Sequence, residues 1–287
     1  MYNHPVLAPE AIRTDFERPP VVELVLGVQF EPIGLTAPHL GLFWQESGLR
    51  KRFRQVKQLP ALDPVVEKFD GRQIQPPPGM KFLEEPETPR CWFVDETGNE
   101  LVQLQADRFL HNWRTVDGAP NVYPHFEGLQ KPFLEGFTAF SDFAAREGFG
   151  DIKPNQCEVT YVNHIRGAGV WEGFGQADRV FPLISAPSTS GPLTTPEDVR
   201  FATRYVFGHE VTGEPVGRLH VTVQPGFSRN DGAEIFMLTL LARGAPEGAG
   251  AGGVARFMER AHRLIVTSFE QLTSAAMHKV WGKNHAR

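Results

Sequence analysis

Residues 101–114, Leu-Val-Gln-Leu-Gln-Ala-Asp-Arg-Phe-Leu-His-Asn-Trp-Arg, set amides, guanidinium groups, an imidazole and an indole among apolar side chains. On a strand over 101–106, Gln103 and Gln105 fall on one face and Val102, Leu104 and Ala106 on the other. Over 109–114, Leu110, Asn112 and Arg114 share a face opposite Phe109, His111 and Trp113. A one-residue bulge at Asp107-Arg108 would re-aim the second strand, and bulges are frequent beside sites. Amides both donate and accept, while Arg offers a planar fork that fits a carboxylate or phosphate. The pattern points to a polar groove lined by Gln103, Gln105, Arg108, Asn112, Trp113 and Arg114. The plain alternative is a solvated sheet face with Gln side chains paired across strands and Arg108 held by Asp107 or Glu127.

Tyr123, His125 and Glu127 stand at the expected start of a long helix. Pro124 suits its first turn and Glu127 its positive end, so open N–H groups there, with Arg114 near, would hold an anion. Ordinary helix-start chemistry explains the same residues. Asn163 and His164 end a strand that aligns with 21–30 when Glu158 is laid over Glu23. Asn163 then takes the core-facing place of Val28, and a buried Asn must be hydrogen-bonded. It either braces a turn or meets a ligand. With His111, His125 and His278 the chain raises the question of a metal, but no compact ligand spacing is present. No metal or other cofactor is expected.

The basic run 50–57 carries Arg50, Lys51, Arg52, Arg54 and Lys57, with Phe53 and Val56 as a narrow apolar stripe on a helix. Such a cluster meets phosphates, or is the solvated face of an amphipathic helix. No Gly-x-Ser-x-Gly is present, and Gly248–Gly253 lacks the Lys-Ser/Thr of a phosphate loop, so this tract reads as a linker. Cys157 reads as a small core residue, and His278, Lys279 and Trp281 as anchors of the last helical turn.

These side chains need a scaffold. Val22, Leu24, Leu26, Val28 and Phe30 alternate with polar residues, as on a strand with one buried face. A helical stretch over 37–59, with a break at Ser47-Gly48, leads to a proline-rich irregular region over 60–90. Strands at 91–95, 101–106 and 109–115 precede a helix within 123–150, where Phe126, Leu129, Phe133, Phe137 and Phe140 form one face. The second half begins with a strand at 157–165. A loop over 182–198, strands at 200–209, 216–224 and 233–243, and a helix over 253–281 follow. Each half reads as strand, irregular stretch, strands, long helix. The fold class is therefore α+β: a tandem duplication with halves 1–150 and 151–287, a curved antiparallel sheet and two long helices in the helix-grip or TATA-binding-protein-like manner.

Composition fits a globular chain: 287 residues, 41% hydrophobic and 22% charged, with 22 Phe and a net charge of -5. An acidic balance disfavours a general nucleic-acid or membrane-surface binder. Two cysteines make no disulfide framework, and neither a signal peptide nor a membrane span is read, so a cytoplasmic setting is expected.

The segments PPVVELVLGVQFEP, LVQLQADRFLHNWR, YPHFEGL, CEVTYVNHI and MHKVWGK, in this order, resemble a sporadically distributed, uncharacterised family of bacterial proteins. The resemblance spans most of the chain and is most specific in Gln-x-Gln-x-Asp-Arg-Phe…Asn-Trp-Arg followed by Tyr-Pro. It implies the fold boundaries and a bacterial setting, and no activity. The leading expectation is a non-catalytic accessory module that binds a protein partner or a small polar or anionic ligand through Arg108, Asn112, Trp113, Arg114 and Tyr123. One alternative is an enzyme with a helix-grip cavity using His125 and Glu127, although their i, i+2 spacing points them apart on a helix. The other is nucleic-acid binding through the sheet and the 50–57 cluster.

Overall fold

A computed structural model describes residues 15–69, 88–185, 195–210 and 212–284. Short β1 (Asp15–Phe16) precedes β2 (Val21–Phe30), α1 (Ala37–Glu46) and β3 (Gln55–Leu59). Then come β4 (Arg90–Val94), β5 (Glu100–Gln105), β6 (Arg108–Arg114) and the long α2 (His125–Arg146). The second half holds β7 (Pro154–Arg166), β8 (Phe201–Gly208), β9 (Pro215–Phe227), β10 (Glu234–Gly244), α3 (Gly250–Leu272), α4 (Ala275–Trp281) and β11 (Lys283–Asn284). Nine strands form one open antiparallel sheet in the order β3-β4-β5-β6-β2-β7-β10-β9-β8. The sheet runs without interruption from one half of the sequence to the other, because β2 pairs with β7.

Alternation along each strand sends one residue set toward α2 and α3. Leu24, Leu26 and Val28 on β2 lie beside Trp113, His111 and Phe109 on β6, and beside Tyr161, Val159 and Cys157 on β7. The stripe Phe126, Leu129, Phe133, Phe137, Phe140 and Phe143 of α2 is buried against this face. Phe140 sits in an aromatic cluster, with ring centroids 5.5 Å from Phe30, 5.4 Å from Phe43 and 6.0 Å from Phe109. On the second half, Val254, Phe257, Met258, Ala261 and Ile265 of α3 complete the core.

Several expectations are corrected. The stretch 37–59 is not one helix: α1 stops at Glu46, Gly48 takes φ 77° in the left-handed region, a 3-10 turn covers Leu49–Lys51, and 55–59 is the edge strand β3. Pairing with β4, which sets Val56 opposite Phe93, overrides helix propensity there. The β5–β6 hairpin has no bulge. Its register is unbroken from Glu100 opposite Trp113 to Gln105 opposite Arg108, which leaves Ala106-Asp107 as a two-residue turn. The final helix breaks at Thr273-Ser274, where Thr273 donates to the Phe269 carbonyl and Ser274 caps α4. Gly250–Gly253 form the first turn of α3 rather than a linker. The prolines at 76–78 lie outside the described residues, as does 186–194 of the expected loop. No helix among the described residues is long and apolar enough to cross a membrane.

Phe140→Ala removes a ring from the centre of the helix–sheet core. It is expected to lower unfolding free energy by about 3–5 kcal/mol. Urea titration should show the midpoint falling with the slope unchanged.

Candidate functional site

The face of the sheet turned away from the long helices is polar in its centre, and it is covered. Gln105, Arg108, Gln29 and Gln156 stand directly opposite one another on β5, β6, β2 and β7, making one row across four strands. Residues 61–69 lie across this row. The Gln105 amide brackets Leu62: the Leu62 N–H donates to Oε1 (3.0 Å) and Nε2 donates to the Leu62 carbonyl (2.9 Å). Arg108 Nη2 donates to the Asp63 carbonyl (3.0 Å), and Gln29 Oε1 accepts from the Val65 N–H (2.9 Å). Gln156 Oε1 accepts from the Glu67 N–H (3.1 Å), and Arg218 Nη2 donates to the Lys68 carbonyl (2.7 Å). Pro64, which has no N–H, is passed over.

Chain geometry explains the fit. Three strand spacings from β5 to β7 span about 14 Å. Residues 62 to 67, at about 3.1 Å each in a polyproline-type conformation, span about 15 Å. Pro60 and Pro64 favour that conformation. The row is pre-set by its own bonds: Arg108 donates to Gln29 Oε1 (2.7 Å), Gln29 Nε2 donates to Asn155 Oδ1 (3.1 Å), and Gln105 Nε2 donates to Asp107 (2.5 Å). Beneath Val65 a cavity of about 10 Å³, room for roughly one water, is lined by Gln29, Arg108, Gln156, Glu158 and Arg243 among others. Arg108 Nε has no hydrogen-bond partner among the described residues. Gly27 keeps Glu158 in place, because a Cβ there would lie 2.8 Å from Glu158 Cγ.

Beside this row runs a second relay. Trp92 Nε1 (2.8 Å) and Arg90 (3.1 Å) donate to Gln103 Oε1, Gln103 donates to Asn112 Oδ1 (2.8 Å), and Asn112 donates to Glu23 (3.0 Å). A donor-only indole at one end and a carboxylate at the other fix the orientation of both amides.

Glu67 inserts its side chain into the sheet of the second half, where it is only 2% exposed. Arg218 donates to Oε2 at 2.5 Å, His220 Nε2 lies 2.7 Å from Oε1, and Arg243 stands 4.0 Å away, itself paired to Glu158 at 3.2 Å. Burial pushes the Glu67 carboxyl up, but the hydrogen bonds and charges of His220 and Arg218 outweigh it and hold the group below its ordinary value.

The residues singled out in the sequence separate onto two faces. Gln103, Gln105, Arg108 and Asn112 gather beneath or beside 61–69 and are buried. They line neither a solvated face nor an open groove. Arg108 is held by Gln29 and Asp63, not by Asp107 or Glu127. Arg114 lies on the same side, its Nε donating to the Gly98 carbonyl and its guanidinium 5.4 Å from the Trp92 ring. His164 is half-buried on that side, where burial and Arg166 push its imidazole down.

Trp113, Tyr123 and Asn163 belong to the helix face. Trp113 packs on Tyr123 (5.3 Å) and Tyr123 on His125 (4.8 Å). Tyr161 is buried there, with its hydroxyl 2.8 Å from His262 Nδ1. Burial and the neighbouring Tyr123 push that hydroxyl up. His125, at φ 57°, and Glu127 are both exposed, so no enclosed acid–base pair forms from them. Asn163 donates to the Leu238 carbonyl (3.1 Å) and braces β10. The indole on the polar face is Trp92, not Trp113.

The basic cluster is not a helical stripe. Arg52 meets Glu100 and Arg54 meets Glu96, while Arg50 donates to Gln45. Lys51 lies in the 3-10 turn and Lys57 on edge strand β3. Among the described residues, no three His, Cys, Asp or Glu side chains converge as metal ligands.

Sequence reasoning missed Gln29, Glu67, Trp92, Gln156, Arg218, His220 and Arg243. Gln29 is a lone amide on the apolar strand β2, and that is the signal available; its alignment with Gln156, which follows Asn155 near the start of β7, needs the β2–β7 pairing. No family model, curated protein or solved structure matches the chain.

Because the folded-state value of Glu67 is depressed, its stabilisation is present above the ordinary glutamate range and is lost as pH falls toward and through the lowered folded value. Hydrogen exchange should show protection of the Leu62, Val65 and Glu67 amides at pH 7 and its loss on acidification. In Glu67→Gln that protection should already be weakened at pH 7, and its change with pH reduced.

Proposed function

We propose that this protein is a non-catalytic binding module whose polar sheet face takes an extended polypeptide segment of a partner, with residues 61–69 holding the face closed as a pseudo-ligand. The observation that carries this reading is the set of six hydrogen bonds from sheet side chains to the main chain of residues 62–68. Main-chain groups are common to all polypeptides, so a surface that satisfies them in one extended segment has the chemistry to accept another. The side chains of Leu62, Val66 and Phe69 on the covering segment are 37–44% exposed, so its grip is mainly main-chain rather than apolar burial.

Two buried, unbridged thiols, Cys91 and Cys157, suit a reducing cytoplasm. The family resemblance suits a bacterial accessory factor. We also read the two halves as a duplication with a helix-grip-like layout. The support is the sheet order: β6 to β3 extend outward from β2 and β10 to β8 from β7, and in each half a long helix follows the last strand of the nine-stranded sheet.

A fluorescent peptide copying residues 59–69 tests the binding reading, added in trans to the intact Glu67→Ala protein, in which the covering segment has lost its buried anchor. Saturable binding is expected, with loss on adding Arg108→Met to a protein whose circular dichroism is unchanged. If folded Glu67→Ala protein binds no peptide at any accessible concentration, the segment is a permanent cover and the binding reading fails.

A further inference from the structure

We infer that Arg218, His220 and Arg243 form a carboxylate pocket that sets the register and selectivity of the chain lying on the sheet, so that the favoured partner segment is extended and carries Glu-x-aromatic. This rests on the peptide-binding reading and adds what that face selects.

The first argument is electrostatic. Arg218 on β9 and Arg243 on β10 are direct cross-strand neighbours. Like charges in that position destabilise a sheet unless an anion lies between or beside them. Glu158 answers Arg243 from β7 at 3.2 Å, and Glu67 answers Arg218 at 2.5 Å. Removal of Glu67 leaves two guanidinium groups and an imidazole facing one carboxylate. The pocket therefore demands an anion whichever chain supplies it.

The second argument is positional. Burying a carboxylate is costly unless it is well paired, and Glu67 is the one buried residue of 61–69. The main-chain contacts repeat along the segment and do not distinguish one residue from the next. The carboxylate does, because its two oxygens meet different donors, Arg218 at Oε2 and His220 at Oε1.

A third contact supplies the aromatic preference. The Arg218 guanidinium lies 4.5 Å from the centroid of the Phe69 ring while its other nitrogen holds the Lys68 carbonyl. Arg218 thus reads three successive features: a carboxylate, a carbonyl and an aromatic face. All the pocket residues lie on paired strands, which hold them in fixed geometry.

The test uses intact Glu67→Ala protein and three fluorescent peptides: the 59–69 copy, the same with Gln in place of the glutamate, and the same with Ala in place of the final phenylalanine. The glutamate peptide should bind at least about tenfold more tightly than the glutamine peptide, with a smaller loss for the alanine peptide. Discrimination between glutamate and glutamine should vanish when Arg218→Met is added. Equal binding of the glutamate and glutamine peptides overturns the carboxylate pocket while leaving the binding face intact; absence of binding by all three overturns the face itself. Should Glu67→Ala aggregate, the same peptides are tested on Glu67→Gln. Acetate should raise the thermal midpoint of Glu67→Ala more than chloride at equal ionic strength, and equal effects of the two salts count against the pocket. A stable dimer of Glu67→Ala chains that exchange their 61–69 segments would reassign the occupant to a second copy and overturn the partner assignment.

Discussion

The pairing of β2 with β7 is the contact through which the two halves of the chain become one sheet, and much else is set by its register. Val28 lies opposite Cys157 and Leu24 opposite Tyr161, which makes the helix-facing core continuous across the junction. One residue along, Gln29 faces Gln156. Because side chains alternate with a period of two, a slip of one residue in this pair would turn one strand's amide into the phenylalanine core and that strand's apolar set outward. The core and the polar row are therefore two consequences of a single register.

Burial of that row creates an obligation. An antiparallel sheet of this kind commonly leaves its second face in water. Here Gln103, Gln105, Arg108, Asn112, Gln29 and Gln156 are all less than a tenth exposed. Each must find partners, since an unsatisfied buried polar group costs about 1–3 kcal/mol. Amides suit the task, because the main chain of 61–69 presents donors and acceptors in turn and a carboxamide answers both. The covering segment avoids the usual route of adding a strand at a sheet edge. It crosses the strands at their faces and is held by side chains rather than by a backbone ladder.

The two sides of the sheet also divide the chemistry. Aromatic groups collect on the helix side, where Phe126 stacks on His262 at 4.1 Å and Trp113 packs on Tyr123. The amide rows and the Glu67 pocket lie on the other, with Trp92 as its indole. Arg114 and Trp113 are consecutive residues of one strand and so point to opposite sides. Arg114 is thus turned to the face away from the long helices, toward Gly98 and Trp92.

Local pattern made a large part of this legible. Alternation in VVELVLGVQF and in 101–114 determined the strands and the face of each residue, because a strand's period needs no knowledge of its neighbours. The phenylalanine spacing of α2 determined its buried stripe in the same way, and Asn163 was correctly placed on the core face. What the sequence could not decide was pairing across distance. Gln105, Arg108, Gln29 and Gln156 come from four strands and join only when β2 lies between β6 and β7. Glu67, in a stretch that reads as irregular loop, meets Arg218 and His220 some 150 positions later. Whether the polar face was wet, open or covered depended on where a proline-rich segment without periodicity comes to rest, and long-range hydrogen bonding fixes that position.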